Sequence, residues 1–287
     1  VRRYVPRLAE ANILVEPEAK NTAASLILAT ANLYLKNPRS VVAVLCADHV
    51  ITKKDVFLRK LRAAVEAAAE EEAIVTFGIP PAYPATGYGY IQISRRNIKR
   101  FGGERFYQVL KFKEKPGLRK AKEFIADGGH FWNSGMFVWR ADVFARKLEQ
   151  YAPAFYGFWE RILAALRRGN RQEIRAAFKE ISPISIDYAL MEKAEGVLMA
   201  RGDFGWSDVG SWSSAAEFWP KDEAGNALLG RTLVVDSSGC IVYGYGPRKL
   251  TALVGLKDII VVDTKDALLV CRKDKDQRVK DIVKLIT

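Results

Sequence analysis

The chain has 287 residues, 49% of them hydrophobic and 27% charged, so it can bury a sizeable core and is neither disordered nor fibrous. Its formal net charge of +12 does not imply a nucleic-acid partner: the basic residues are interleaved with acids, as in KFKEKPGLRKAKE and RKDKDQRVKD, and no recognition helix, zinc finger or aromatic RNA-binding pattern accompanies them. The longest apolar run, Val41 to Ala47, is far too short to span a bilayer and no secretory start is visible, so no membrane partner and a cytoplasmic location are expected.

The first residues form a charged segment that reads like the tail of an earlier helix and leads into NILVE, Asn12 to Glu16, expected as a short strand. Ala23, Leu26, Ile27, Thr30 and Tyr34 recur at helical spacing and stop before Pro38. VVAVLCA fits a strand buried on both faces of a parallel sheet. Asp55 then caps a helix carrying Phe57, Leu61, Ala64, Val65 and Ala68, and AIVTFGI is the next buried strand. This rhythm predicts a doubly wound α/β sheet with ligands at the carboxyl ends of its strands.

From residue 81 the pattern loosens. YGYIQI and RFYQVLKF read as strands, Leu118, Ala121 and Ile125 mark a short helix, MFVW returns to the sheet, and residues 141–180 are helical. RTLVVD, CIVYGY, LTALVG, DIIVVD and ALLVC are short strands at nearly even spacing, which argues for a small β-rich appendage. Val279, Ile282, Val283 and Ile286 give one face of a closing helix. The expected division is 1–225 and 226–287. Cys46, Cys240 and Cys271 sit singly in apolar runs and read as buried thiols. With only two histidines, His49 and His130, a histidine-rich metal site is excluded and any metal is a hard cation on carboxylates.

Several residues can carry chemistry. Asp48 follows a buried strand, where a turn or cap aspartate competes with a ligand-facing carboxylate, and His49 beside it reads as an orienter. Asp208 lies in GWSDVGSW, where capping a helix over residues 211–218 competes with metal binding; together the two aspartates could hold one magnesium. In EPEAKNTA, Asn21 or Thr22 can cap the following helix, yet the segment also offers backbone amides, and Glu16 can accept hydrogen bonds from the donor pair on one edge of guanine. Gly87 and Gly89 in TGYGYI need only allow a bend. In FKEKP, Glu114 and Lys115 are either a surface ion pair or a sugar-phosphate contact, and Asn133 in WNSGMF caps a turn or binds a hydroxyl. In SIDYALMEKAE, Asp187 reads as the cap of an amphipathic helix, a structural role.

Taken in order, EPEAKNTA, CADH, TGYGYI, FKEKP, WNSGMF, SIDYALMEKAE and GWSDVGSW closely resemble the mannose-1-phosphate guanylyltransferase family of sugar nucleotidyltransferases. The resemblance implies a Rossmann-like mixed α/β nucleotidyltransferase sheet with a small C-terminal β-helix-like segment, a closing helix and homodimerisation. It implies GTP and mannose 1-phosphate as substrates, Asp48 and Asp208 as Mg2+ ligands, Gly89, Glu114 and Asn133 around the sugar, and Lys115 facing its phosphate. Glu16, Asn21 and Thr22 fall in the region that reads the base. The chain departs from the family in having no glycine-rich loop with an arginine and lysine; that loop and its strand are expected before Val1, making the chain as written a fragment. No isomerase domain is expected after Thr287. Two alternatives stay open: a sugar nucleotidyltransferase using UTP or dTTP, and a non-catalytic sugar-nucleotide-binding regulatory subunit.

Overall fold

A computed structural model describes residues 5–246 and 248–286, which leaves the expectation for the first four residues outside the described ones. Asn21–Lys36 (α1), Val41–Val44 (β1), Val50–Ile51 (β2), Lys54–Glu70 (α2), Ile74–Ile79 (β3), Tyr90–Phe101 (β4), Glu104–Lys113 (β5), Leu118–Asp127 (α3) and His130–Arg140 (β6) follow one another. Ala141–Tyr151 (α4), Pro153–Arg167 (α5) and Arg171–Glu180 (α6) fill the stretch expected to be helical, before Val197–Arg201 (β7) and Trp206–Ser207 (β8). Six of the strands form one sheet in the order β1-β6-β3-β7-β5-β4, with β6 also pairing with β4.

The sheet is mixed, as the family resemblance implies. Only β3 and β7 run parallel; the other pairings are antiparallel. The antiparallel share arises in part because β4 and β5 join through the short Gly102–Gly103 turn, and a connection that short can only make a hairpin. β3 is buried along its whole length, as its apolar run predicts. Against one face pack α1 and α4 to α6, where Trp139 stacks on Phe144 at 4.5 Å and Phe158 meets Phe178 edge-on at 5.4 Å.

Three local readings are corrected. NILVE is not a strand: Glu10–Asn12 is a single 3-10 turn and Ile13–Glu16 has no ladder partner among the described residues, with Val15 80% exposed. VVAVLCA forms strand only over β1, which lies at the end of the strand order, so it is half-buried rather than covered on both faces, and Cys46 is exposed. Asp55 sits inside the first turn of α2 and caps nothing; Lys53 is the N-cap, without a side-chain bond.

The chain divides into two compact units, one containing residues up to Ala47 and Thr52–Trp206, the other Asp48–Ile51 and everything from Ser207 onward. The second holds Trp212–Ala215 (α7), then Ala227–Leu229 (β9), Arg231–Val235 (β10), Ile241–Tyr243 (β11), Leu250–Val254 (β12), Ile259–Asp263 (β13), Leu268–Arg272 (β14) and Val279–Ile286 (α8). β9, β11 and β13 stack in parallel, as do β10 and β12, and β14 closes the stack antiparallel to β13. This coil of short parallel rungs is the expected β-helix-like segment with its closing helix, one strand richer than the sequence suggests. Asn226, fully buried, supports a corner of the coil: its amide donates to Asp222 Oδ2 and Ser237 O, and it accepts from the Cys240 N–H. Cys240 is buried as expected. No helix among the described residues is long and apolar enough to cross a membrane.

Candidate active site

The registers of three strands bring Gly89, Glu114 and Asn133 together. Tyr90 pairs with Lys113 on β5 and with Trp132 on β6, so the preceding residue, Gly89, faces Glu114 on one side and Asn133 on the other. The Asn133 N–H donates to Gly89 O at 2.8 Å. A Cβ on Gly89 would collide with Glu114 Oε2 and touch Asn133 Cβ at 3.5 Å, so glycine here leaves the Glu114 carboxylate where it lies, and a larger residue would push that flexible side chain aside. β5 ends at Lys113, and Lys115 takes a left-handed backbone with φ of 40°. That break lets Lys115 turn back on its neighbour: its Nζ lies 3.0 Å from Glu114 Oε1. The hydrogen bond to Glu114 raises the Lys115 pKa, against partial burial, so the ammonium stays charged.

Asn133 is held from two sides. A bulge in β6 against β3, with Gly135 at φ 69°, displaces the backbone so that the Gly135 N–H donates to Asn133 Oδ1 at 3.2 Å. The amide's other end donates to Asp187 Oδ1 at 2.6 Å. Asn133 is thus both a turn-bonding residue and, with its orientation fixed, a candidate ligand contact.

Asp187 is the residue that sequence reasoning misplaced. It does not cap an amphipathic helix; it begins a five-residue π-helical turn, Asp187–Met191, with Ala189, Leu190 and Met191 buried in the core. Burial pushes the Asp187 carboxyl pKa up, the Asn133 hydrogen bond opposes this, and the Glu114 carboxylate pushes it up further. Glu192, one residue past the turn, accepts from the Glu114 N–H at 3.4 Å. A hydrophobic repeat reads the buried side of such a turn but carries no signal that its first carboxylate points at another motif.

The EPEAKNTA segment abuts the same turn. Thr22 accepts from the Ile186 N–H at 2.9 Å, and the Ala23 N–H donates to Ile184 O. Neither Asn21 nor Thr22 caps α1: Lys20 occupies the cap without a side-chain bond, and Asn21, at φ 63°, accepts from the Thr22 N–H. Glu16 Oε2 accepts from the Ser25 hydroxyl at 2.6 Å, while Oε1 has no hydrogen bond among the described residues.

Asp48 and Asp208, both in the second unit, flank the short paired strands β2 and β8. The Thr52 N–H, just after β2, donates to Gly205 O, just before β8, so the strands run antiparallel. Asp48, before one strand, and Asp208, after the other, therefore lie at the same end. Asp48 is 88% exposed and accepts no hydrogen bond among the described residues; His49 Nε2 is 4.0 Å away, which makes it a weak orienter. Asp208 accepts from the Gly210 N–H at 3.0 Å and does not cap the next helix, a role taken by Ser211 in a reciprocal pair with Ser214. Two carboxylates at one end of this strand pair are hard oxygen donors of the kind a divalent cation takes.

A family model described as nucleotidyl transferase matches residues 3–225. The chain belongs to the nucleotidyl transferase family. A second model, the MannoseP isomerase/GMP-like beta-helix domain, matches residues 230–286 of this nucleotidyl transferase. It is 42% identical over 282 residues to the alginate biosynthesis protein AlgA of Pseudomonas aeruginosa, covering 96% of this chain and 57% of that protein. With a mannose-1-phosphate guanylyltransferase of Klebsiella pneumoniae it shares 38% identity over 277 residues, covering 96% of the chain and 58% of the relative. The chain thus spans a little over half the length of these relatives. A crystal structure from Thermus thermophilus titled mannose-1-phosphate geranyltransferase superposes with a TM-score of 0.83 at 31% identity, covering 99% of this chain and 81% of that one.

Proposed function

We propose that the complete protein transfers GMP from GTP to mannose 1-phosphate, releasing GDP-mannose and pyrophosphate. The observation that carries this reading is the Gly89, Glu114, Lys115, Asn133 cluster: two acceptor-bearing side chains for sugar hydroxyls beside a permanently charged ammonium for a phosphate, with a glycine keeping the space clear. The names of the relatives agree with it. Lys115 holds the sugar phosphate so that its oxygen attacks the α-phosphorus in line. Asp48 and Asp208 hold Mg2+, which when bound neutralises phosphate charge. Glu16, through its unbonded oxygen, Asn21 and Thr22 line the guanine side, Thr22 chiefly by tying α1 to the π-helical turn. We place the boundary between catalytic and C-terminal parts at 225–226, and exposed Ile282, Leu285 and Ile286 on α8 support a homodimer.

The reaction reads in reverse as a test. Given GDP-mannose, pyrophosphate and Mg2+, the full-length protein should yield GTP and mannose 1-phosphate. Binding of GDP-mannose without turnover would instead make it a regulatory subunit.

Substitutions at two positions probe the sugar side. Gly89→Ala should weaken mannose 1-phosphate binding about 10- to 100-fold, because the added methyl displaces the Glu114 carboxylate from the sugar side, with GTP binding unchanged. Isothermal titration with each ligand separates the two.

Asp187→Asn keeps the acceptor for Asn133 but removes a carboxyl whose pKa the fold raises. A folded-state pKa above the unfolded one means that ionisation above it costs stability, so the variant should melt at the same temperature or higher at neutral pH, with the gain vanishing as pH falls below the unfolded carboxylate range. Asp187→Ala, which removes the acceptor that fixes Asn133, should raise KM for mannose 1-phosphate about tenfold. A lower melting temperature with unchanged KM would make Asp187 merely structural.

A further inference from the structure

The strands that carry the sugar-side residues also have an opposite face, and it holds a second cavity. Phe112, Ile91 and Phe137 turn into the main core. Lys111 and Lys113 on β5, with Tyr90 and Gln92 on β4 and His130 on β6, line a cavity of about 450 Å³ covered by Lys120 and Phe124 of α3. That volume lies within the range of small-molecule sites.

The charges in this cavity are unequally satisfied. Glu123 is paired with Lys120 at 2.9 Å and with Arg119 at 3.4 Å. Asp127 is paired with His130 Nδ1 at 2.8 Å and accepts from the Gly129 N–H. Both acids are therefore engaged by groups other than Lys111 and Lys113, which have no ion pair or side-chain hydrogen bond among the described residues. Two residues apart on one strand, these lysines share a face with Cα atoms about 7 Å apart, close enough to converge on one multivalent anion. His130 of β6 stacks on Phe124 of the covering helix at 4.1 Å with an interplanar angle of 13°, and the Tyr90 hydroxyl donates to Ala85 O.

We propose that this cavity is a binding site for a small phosphate-bearing molecule, with the phosphate held by Lys111 and Lys113 and the remainder of the ligand extending toward Gln92 and Lys120. Two ammonium groups without an ion pair among the described residues, at a cavity lined by both polar and apolar side chains, suit a dianionic phosphate better than a carboxylate, and the cavity has room for more than the phosphate alone. The site does not depend on the catalytic reading, since no residue of the Gly89, Glu114, Asn133 cluster lines it.

The chain's two histidines make the test simple, because His130 lies in the cavity whereas His49, beside Asp48 in the other unit, reports separately on anions that bind at the proposed catalytic centre. Histidine-ring resonances of the full-length protein are followed while inorganic phosphate or glucose 6-phosphate is added at constant ionic strength, with chloride as control. The expected result is a saturable shift at His130 with both probes, at lower concentration for the ester, lost in Lys111→Ser/Lys113→Ser and kept in Lys115→Ala. Saturation by inorganic phosphate alone would reduce the ligand to a free phosphate and overturn the larger ligand. A shift that chloride reproduces, or that survives in the double variant, would overturn the site.

Discussion

Asp208→Ala in the full-length protein should lower kcat by about 10³-fold or more, the scale of losing a charge-stabilising group at a phosphoryl-transfer centre, while leaving the fold intact. Asp208 is half-buried and accepts a local hydrogen bond from the Gly210 N–H in the loop before the next helix. The helix that follows does not depend on it, because Ser211 and Ser214 cap that helix reciprocally. Steady-state kinetics over a Mg2+ series, paired with a melting curve, check both parts. Near-normal activity at saturating Mg2+ would remove Asp208 from the metal site, and a collapse of the melting temperature would make the loss structural.

Lys115→Ala should lower kcat/KM for mannose 1-phosphate by about 10²- to 10³-fold and leave nucleotide affinity unchanged, because the lost charge acts on the sugar phosphate. Alanine tolerates the left-handed backbone no better and no worse than lysine, so the strain at φ 40° is common to both proteins and cancels. The raised Lys115 pKa fixes the sign of a pH dependence. A base held charged by Glu114 stays protonated past the ordinary lysine range, so wild-type activity should show no alkaline fall attributable to Lys115 below that range. An alkaline limb on the acid side of it would contradict the Lys115 to Glu114 contact.

The local geometry of the candidate site was legible in the sequence where a motif coincides with a strand end. FKEKP marks where β5 stops, since proline cannot continue the ladder, and the structure turns the backbone at Lys115 there. The β-helix-like coil was legible from evenly spaced apolar runs, although β9, three residues long, is too short to show a period. Long-range facts were not legible. NILVE has the composition of a strand, but a strand exists only with a partner, and none is present among the described residues. VVAVLCA is apolar enough for a central strand, yet strand order, which no local pattern encodes, leaves β1 at the end of the sheet. Asp187 shows the same limit on the functional side: a capping aspartate and an aspartate aimed at Asn133 look identical in sequence, and only the packing of Ala189 to Met191 decides which way the turn faces.

The central claim is that this protein couples GTP, rather than another nucleotide, to mannose 1-phosphate, and pyrophosphate release tests it most directly. With the full-length protein, Mg2+ and mannose 1-phosphate, kcat/KM for GTP should exceed that for UTP and dTTP by about 10²-fold or more, because on the proposed reading the pyrimidines leave Glu16 Oε1 without the donor that guanine supplies. Equal or better turnover of UTP or dTTP, or release that does not require mannose 1-phosphate, would contradict the account.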